Sequence, residues 1–135
     1  MNKQIVRSAI ILLFLSQILL PAQEKKTVSP KVTEAKLGKD VQNKRIVDTT
    51  TTFSLNDKAY LWLKILGGPA DSITVTWKNG DQSYPSKLNV GGNFWRTWSY
   101  KTLAAPGAWT VTVTDAGGTV LKEMKFEVQG EKPKQ

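Results

Sequence analysis

Hydrophobic and polar residues alternate along much of the chain after residue 70, which is the pattern of strands buried on one face. Residues 72–78 read SITVTWK, so that Ile73, Val75 and Trp77 share one face. Residues 109–114 alternate in the same way. In the last such stretch, the positions predicted to face inward are Val120, Met124, Phe126 and Val128. No apolar stripe of helical period extends beyond two turns here, so the pattern predicts an all-β fold.

Turn residues separate these stretches and predict further strands. Asn79 and Gly80 both tolerate the positive φ angles of a type I′ turn, and they predict a hairpin whose second strand is residues 82–90. Residues 59–65 (AYLWLKI) are apolar on both faces except at Lys64, which is typical of a strand in the middle of a sheet. Further strands are predicted at residues 94–101, 45–48 and 50–55.

About seven strands at this spacing predict one immunoglobulin-like antiparallel β-sandwich over residues 41–129. The chain has 135 residues, which allows one such domain together with terminal segments. It contains no Cys, so no disulfide links the sheets. The five Trp residues lie between positions 62 and 109, and they are expected to supply much of the core.

The first 22 residues have the order of a secretory signal peptide. Lys3 and Arg7 precede a run of 12 mostly apolar residues, Ala9–Leu20, and Pro21-Ala22 follow it. This run is shorter than the ~20 residues that a membrane-spanning helix needs. We therefore expect a periplasmic or secreted protein whose signal is cleaved after residue 22 or kept as an anchor. With no Cys near the cleavage position, the chain is not a bacterial lipoprotein.

Positive charge is concentrated behind the predicted signal. The chain has 19 Lys and Arg against 11 Asp and Glu, a net charge of +8. Residues 23–47 alone contain seven Lys or Arg and three Asp or Glu. We expect residues 23–40 to be a basic flexible spacer and residues 130–135 a disordered tail. The charge predicts a weak contact of residues 23–47 with an anionic membrane or envelope surface. We expect no nucleic-acid partner, because an exported protein rarely meets nucleic acid.

Several short motifs occur in a fixed order between Val41 and Val128. They are Tyr60-Leu61-Trp62, Trp77 followed by Asn79-Gly80, residues 94–101 (FWRTWSYK) and residues 107–113 (GAWTVTV). In this order they resemble the bacterial domain-of-unknown-function family numbered 2914. The resemblance implies an all-β domain, often at the C-terminal end of exported or membrane-anchored proteins, with no established activity. Family members often carry a His where this chain has Val75, so no metal or proton-transfer role of that His applies here.

The residue inventory leaves little for catalysis. Without His or Cys the chain builds neither a Ser–His or Cys–His nucleophile nor a zinc-finger site. Ser99 and Lys101 share a strand face, but a catalytic Ser–Lys pair needs a buried Lys beside an oxyanion hole. Four Asp residues fall in predicted turns, where Asp bonds the backbone: Asp57, Asp71, Asp81 and Asp115. We expect no enzyme activity, no metal and no cofactor.

Aromatic side chains are the remaining candidates for a binding surface. In residues 94–101, one face carries Phe94, Arg96, Trp98 and Tyr100, and the other carries Trp95, Thr97, Ser99 and Lys101. The face of large side chains is the better candidate for the core, which would expose Trp95. The opposite orientation would expose Arg96, Trp98 and Tyr100. Tyr60 and Trp62 form a second candidate platform, and the alternative to both platforms is that all these rings pack inside the protein.

These observations predict an exported, non-catalytic binding module of the cell envelope or the cell exterior. Its candidate binding residues are Trp95, Arg96, Trp98, Tyr100, Tyr60 and Trp62. The predicted partner is a protein or another envelope component, contacted through one sheet face or its loops. The alternative is a carbohydrate such as peptidoglycan, bound through exposed aromatic rings. A small hydrolase is the third candidate, and the residue inventory disfavours it.

Overall fold

The computed structural model describes residues 30–67 and 71–130 of the chain. These residues form nine β-strands, and none of the described segments forms a helix that could cross a membrane. The strands are β1 (Lys31–Gln42), β2 (Arg45–Thr49), β3 (Thr52–Ser54), β4 (Lys58–Leu66), β5 (Asp71–Asn79), β6 (Gln82–Val90), β7 (Phe94–Thr102), β8 (Gly107–Asp115) and β9 (Val120–Gln129).

The strands form two sheets that pack face to face. One sheet has the order β2-β1-β4-β7, and the other has the order β3-β9-β8-β5-β6. In immunoglobulin domains, strands A, B and E share one sheet and strands C, F and G share the other. Here β1, β4 and β7 correspond to strands A, B and E, and β5, β8 and β9 correspond to strands C, F and G. The predicted all-β sandwich is confirmed, and its strand order is that of immunoglobulin domains.

Two details of the predicted sandwich are wrong. The described residues contain nine strands instead of about seven. The sandwich is also not purely antiparallel, because β3 pairs in parallel with β9 through Thr52↔Glu127 and Ser54↔Gln129. This short strand pairs with the last three residues of β9 and so covers only the end of its outer edge.

The core lies between the sheets, as the alternation of apolar residues predicts. Ile73, Val75 and Trp77 of β5 are at most 1% exposed. The buried side chains of the facing sheet come mainly from β4, which is paired on both sides and confirms the prediction of a central strand. The aromatic ring of Phe126 makes edge-on contacts with Phe53 and Trp77, at centroid distances of 5.4 and 5.8 Å.

The predicted spacer is corrected by β1. Residues 31–40 were expected in a flexible segment, but they belong to the longest strand of the sandwich, which pairs with the central β4. Leu37 is buried in the core, and the Leu37↔Leu61 pair anchors the strand. The folded domain therefore begins at residue 31 and not at residue 41. The predicted signal at residues 1–22, residues 23–29 and residues 131–135 of the predicted tail lie outside the described residues.

Two hairpin turns use positive φ angles in different ways. The register Asn79↔Gln82 makes Gly80 and Asp81 the central turn residues, and of the two only Gly80 has a positive φ, 56°. This is the pattern of a type II′ turn with Gly first, so the predicted type I′ turn at Asn79-Gly80 is wrong. The β1–β2 turn has the type I′ pattern instead, with φ of 50° at Asn43 and 60° at Lys44.

The side chain of Val120 also departs from the predicted alternation. It was expected to face inward, but it is 58% exposed. The register of β8 and β9 shifts between Val113 and Thr114, and beyond this irregularity Leu121 packs against the core in its place. A β-bulge exchanges the faces of a strand in this way.

Candidate binding surface

Four aromatic side chains lie in cross-strand pairs on the outer face of the β2-β1-β4-β7 sheet. Tyr60 of β4 lies opposite Tyr100 of β7, and Trp62 lies opposite Trp98. Alternation along β4 places Tyr60 and Trp62 outside, because Leu61 and the other inner positions are fully buried in the core. With Phe94 at the start of β7, these rings form the aromatic face: Tyr60, Trp62, Phe94, Trp98 and Tyr100.

The orientation preferred for residues 94–101 is therefore wrong, and the opposite orientation is correct. Phe94 and Tyr100 are 82% and 57% exposed, whereas Ser99 is 6% exposed. The reason lies in β4, because Ser99 pairs with the bulky, fully buried Leu61. A small residue facing a large one fills the core without overlap.

Trp95 does not stand in solvent as a platform. Its register partner on β4 is the buried Ile65, which places Trp95 on the inner side of β7 near the end of the sandwich. The ring packs on the backbone of the β6–β7 loop, where a Cβ added to Gly91 would lie 2.6 Å from Trp95 Cη2. The side chain remains 37% exposed at its rim. Trp95 therefore exposes the edge of its indole ring to solvent, and not the flat side of the ring.

Tyr60 and Tyr100 form a pair of neighbouring rings on the aromatic face. Their ring centroids are 5.3 Å apart, with an interplanar angle of 32°. The Lys58 ammonium lies 5.2 Å from the centroid of the Tyr100 ring. Cation–π contact of this kind holds an exposed ring in one orientation.

The tip of the β1–β2 hairpin covers the middle of the same face. The β1–β4 pairing ends at Gly38↔Tyr60, while the β1–β2 pairing continues to Gln42↔Arg45. Residues 41–47, which we call the flap, fold back so that Trp62 Nε1 donates a hydrogen bond to the Lys44 carbonyl oxygen at 2.9 Å. The flap explains why Trp62 is only 7% exposed although it faces outward.

Gly38 makes this folding-back possible. A Cβ at Gly38 would lie 2.7 Å from the Val47 carbonyl oxygen and 2.7 Å from Ile46 Cγ1. Real Cβ atoms do not approach backbone oxygen so closely, so a side chain here would push the flap away from the sheet. The absence of a side chain at Gly38 is thus part of the architecture of the surface.

Two adjoining grooves run between the flap and β7. The larger, of about 700 Å³, is lined by residues that include Lys44, Phe94 and Trp98. The smaller, of about 320 Å³, lies under the flap beside Trp62. Lys64 and Arg96 line both. We call the two together the basic groove, because its lining contains five cationic residues: Lys36, Lys44, Arg45, Lys64 and Arg96.

Negative charge is scarce in the basic groove. Among the described lining residues there is no Asp or Glu. The ion pair described nearest to it is made by one of its own cations, Lys36, whose Nζ lies 3.6 Å from Oε2 of Glu34, a residue outside the lining. Lys64 and Arg96 lie directly opposite each other on β4 and β7, and neither forms an ion pair with a described residue. Like charges at directly opposed positions destabilise a sheet.

The polar residues considered for catalysis or metal binding lie elsewhere. Ser99 is buried in the sandwich, and the Lys101 ammonium lies 3.8 Å from the centroid of the Tyr84 ring, which joins β7 to β6 across the open edge. Asp57 Oδ2 accepts a hydrogen bond from Ser54 N, and Asp115 Oδ1 accepts hydrogen bonds from Gly117 N and Thr119 N. These are turn roles, and no three acidic side chains within residues 30–67 and 71–130 converge on a metal-sized site.

Sequence reasoning identified five of the residues on this surface and missed most of its cations. Arg96, Trp98, Tyr100, Tyr60 and Trp62 lie together there, as the two predicted platforms merge into one across the β4–β7 pairing. Lys36, Lys44 and Arg45 belong to residues 23–47, for which the charge predicts contact with an anionic surface, but no pattern places them or Lys64 beside the aromatic rings. The one available signal was Lys64, the single charged position in the apolar segment 59–65.

Comparison with known proteins gives limited likeness. A search of the curated proteins gives no match. Among solved structures, the chain is similar to an alkylpurine DNA glycosylase, AlkC, of Pseudomonas fluorescens, bound to DNA containing an abasic site analog, with 14% identity and a TM-score of 0.48. The alignment covers 74% of this chain, which spans 30% of that glycosylase chain.

A family model agrees with the sequence motifs. The model, described as a protein of unknown function (DUF2914), matches residues 70–128, which contain β5 to β9. The matched part is shorter than the 41–128 range of the resemblance, and β1 to β4 lie outside it. Residues 70–128 of this chain therefore match the DUF2914 family, the family that the motifs predict.

Proposed function

We propose that this protein is a non-catalytic binding module and that the aromatic face with its basic groove is the binding surface. One observation carries the proposal: large rings are placed on the solvent side of a sheet whose other side already forms the core. Phe94 at 82% and Tyr100 at 57% exposure gain little from burial in this fold. Exposed aromatic rings held in a contiguous patch are a property of ligand and partner sites.

Between the candidate partners, the ring arrangement favours a glycan over a protein. The tilted Tyr60–Tyr100 pair and the neighbouring Trp98 offer flat apolar surfaces to the solvent. The C–H faces of a sugar ring stack on such surfaces while the hydroxyl groups stay hydrated. The N-terminal signal pattern supports a place for this module outside the cytoplasm, in the envelope or beyond it.

The test is co-sedimentation of the purified chain with insoluble peptidoglycan and with envelope fractions. We expect Trp98→Ala and Tyr100→Ala to weaken binding about tenfold or more, since truncating an anchor aromatic costs ~2 kcal/mol. Phe94→Ala tests the same face with no folding cost, because the side chain is almost fully exposed. Far-ultraviolet circular dichroism and thermal unfolding show that each variant remains folded.

The matched control is Val120→Ala, which removes an exposed apolar side chain from β9 of the other sheet. Binding that is lost in the aromatic-face variants and kept in Val120→Ala supports the proposal. Equal binding by all of these variants places the ligand elsewhere on the molecule. Failure of the unaltered chain to bind any fraction argues against an envelope ligand.

A further inference from the structure

The basic groove carries more positive charge than the fold uses. Five cationic side chains line it, and no described carboxylate lines it with them. Lys64 and Arg96 are direct cross-strand neighbours, so each raises the free energy of the other in the empty protein. An anion bound between them would relieve this repulsion.

We propose that the basic groove binds the acidic group of a glycan, a carboxylate or a phosphate, while the aromatic face stacks on its sugar rings. This rests on the proposed function and deepens it by naming the ligand class. Arg96 presents a planar set of donors that matches either oxyanion, and Lys64 adds a compact point charge beside it. Trp98 lines the same groove as both cations, so one ligand can contact ring and charge together.

The flap supplies the opposite wall of the groove. Lys44 and Arg45 are exposed, and their hairpin is held over the sheet by the bond from Trp62 to the Lys44 carbonyl. Lys44 adopts a φ of 60°, a conformation that is strained for a residue with a Cβ. The hairpin turn would be more stable with Gly at position 44. The Lys side chain is therefore present although the backbone conformation disfavours any side chain there.

Charge complementarity distinguishes the acidic glycan from two other occupants. A second copy docked on the same face would bring five cations against five, which opposes association. The chain's own N-terminal residues 1–29 contain four Lys or Arg and one Glu, so they do not complement the groove either. An acidic polymer neutralises the cations and keeps the aromatic face occupied.

The experiment compares polygalacturonate with its methyl ester, which has the same sugar backbone without the charge. Isothermal titration calorimetry of the full chain measures both, together with a phosphomannan and an oligothymidine. We expect polygalacturonate or phosphomannan to bind at least tenfold more tightly than the neutral ester, and the difference to shrink at high salt, since exposed charges are screened. A preference between the two acidic polymers identifies carboxylate or phosphate as the group recognised.

The deciding variant is Lys64→Gln with Arg96→Gln, which keeps polar side chains of similar length. We expect it to lose about tenfold in affinity for the acidic polymer per cation removed, and to bind the neutral ester unchanged. The control is Lys122→Gln with Lys125→Gln, which removes the same charge from exposed positions of β9.

Each outcome bears on one of the two proposals. Equal affinity for polygalacturonate and its ester overturns the acidic-group inference and leaves the aromatic face as a neutral glycan site. An equal loss in the β9 control overturns it too, because net charge would then explain the binding. Tighter binding of oligothymidine than of either acidic glycan identifies a nucleic acid ligand instead. Binding to none of the polymers and to no envelope fraction contradicts the proposed function itself.

Discussion

Trp62 and Lys44 are joined by one hydrogen bond, from the indole Nε1 of the central strand to a backbone carbonyl oxygen of the flap, over 2.9 Å. The residues are 18 positions apart in sequence, and their contact joins the flap to β4. The bond links the most buried ring of the aromatic face to the cations above it.

Trp62→Phe tests this link. Phenylalanine keeps an aromatic ring under the flap but has no donor, so we expect the flap to loosen and the free energy of unfolding to fall by about 1 kcal/mol for the hydrogen bond, with a further loss from the smaller ring. Hydrogen exchange of the amides at residues 43–46 measures the effect directly. Trp98→Phe, on the same face, is the control, and equal protection in both variants would contradict the role of the bond.

Gly38→Ala should displace the flap more strongly. The added Cβ would meet the Val47 carbonyl oxygen at 2.7 Å, and backbone cannot yield as a flexible side chain can. We expect a loss of ~1–3 kcal/mol in urea unfolding and faster exchange in the flap. Gly92→Ala provides the comparison, since its nearest atom outside the chain neighbours, Trp95 Cε3, would be at 3.7 Å. Similar stability of the two variants would show that the flap tolerates a side chain at position 38.

Lys44→Gly should stabilise the fold and lower the affinity for the acidic ligand. Relief of the positive φ at Lys44 contributes about 0.5–1 kcal/mol after the larger entropy of glycine in the unfolded chain is counted. Asn43→Gly should gain less, because Asn tolerates the same conformation better. Thermal unfolding and the titration with polygalacturonate measure the two effects. A Lys44→Gly variant that is less stable than the unaltered chain would contradict the inference that Lys44 is strained in this turn.

Trp77 and Trp109 offer a comparison between a bonded and an unbonded indole in one core. Trp109 Nε1 donates to the Ala105 carbonyl oxygen at 2.9 Å, whereas the buried Trp77 Nε1 has no hydrogen-bond partner among the described residues. Replacement by Phe removes the same atoms from both. We therefore expect Trp109→Phe to lower the free energy of unfolding by about 1 kcal/mol more than Trp77→Phe does, measured by urea denaturation. The opposite order would indicate that Trp77 Nε1 is well solvated or bonded.

Alternation predicted the strands that are buried on one face only. It failed for β1, whose register shifts between Val32 and Glu34, so that the apolar positions lose a regular period of two. Val32, Ala35 and Leu37, the apolar residues that reach the core, are then spaced by three and two positions in a basic segment. The strand is fixed by its backbone pairing with β4, which no local pattern in residues 31–42 announces.

The orientation of β7 could not be read from side-chain size. All four residues on one face of the strand are large, whereas the other face includes the small Thr97 and Ser99, and the rule that large residues fill the core favours the wrong face. The partner β4 already supplies Leu61 and Leu63, which leave room only for Ser99 and Thr97 opposite them. Cross-strand volume decides the orientation, and it becomes known only with the register.

The sequence did not predict the basic groove, because its cations are far apart along the chain. Lys44 and Arg96 are 52 positions apart, and both line the larger groove only because the flap folds back at Gly38. The basic segment of residues 23–47 thus places three cations, Lys36, Lys44 and Arg45, on a folded surface.

The two ends of the folded domain lie at opposite poles. β1 starts beside Leu66, while β9 ends beside Ser54, at the far end of the sandwich. A pull between the two ends would therefore act along β1 and β4 and load their hydrogen bonds together in shear, instead of opening them one after another. If the N-terminal segment holds the chain at a membrane, the sandwich can carry tension from that anchor to a ligand on the sheet without unzipping its first strand.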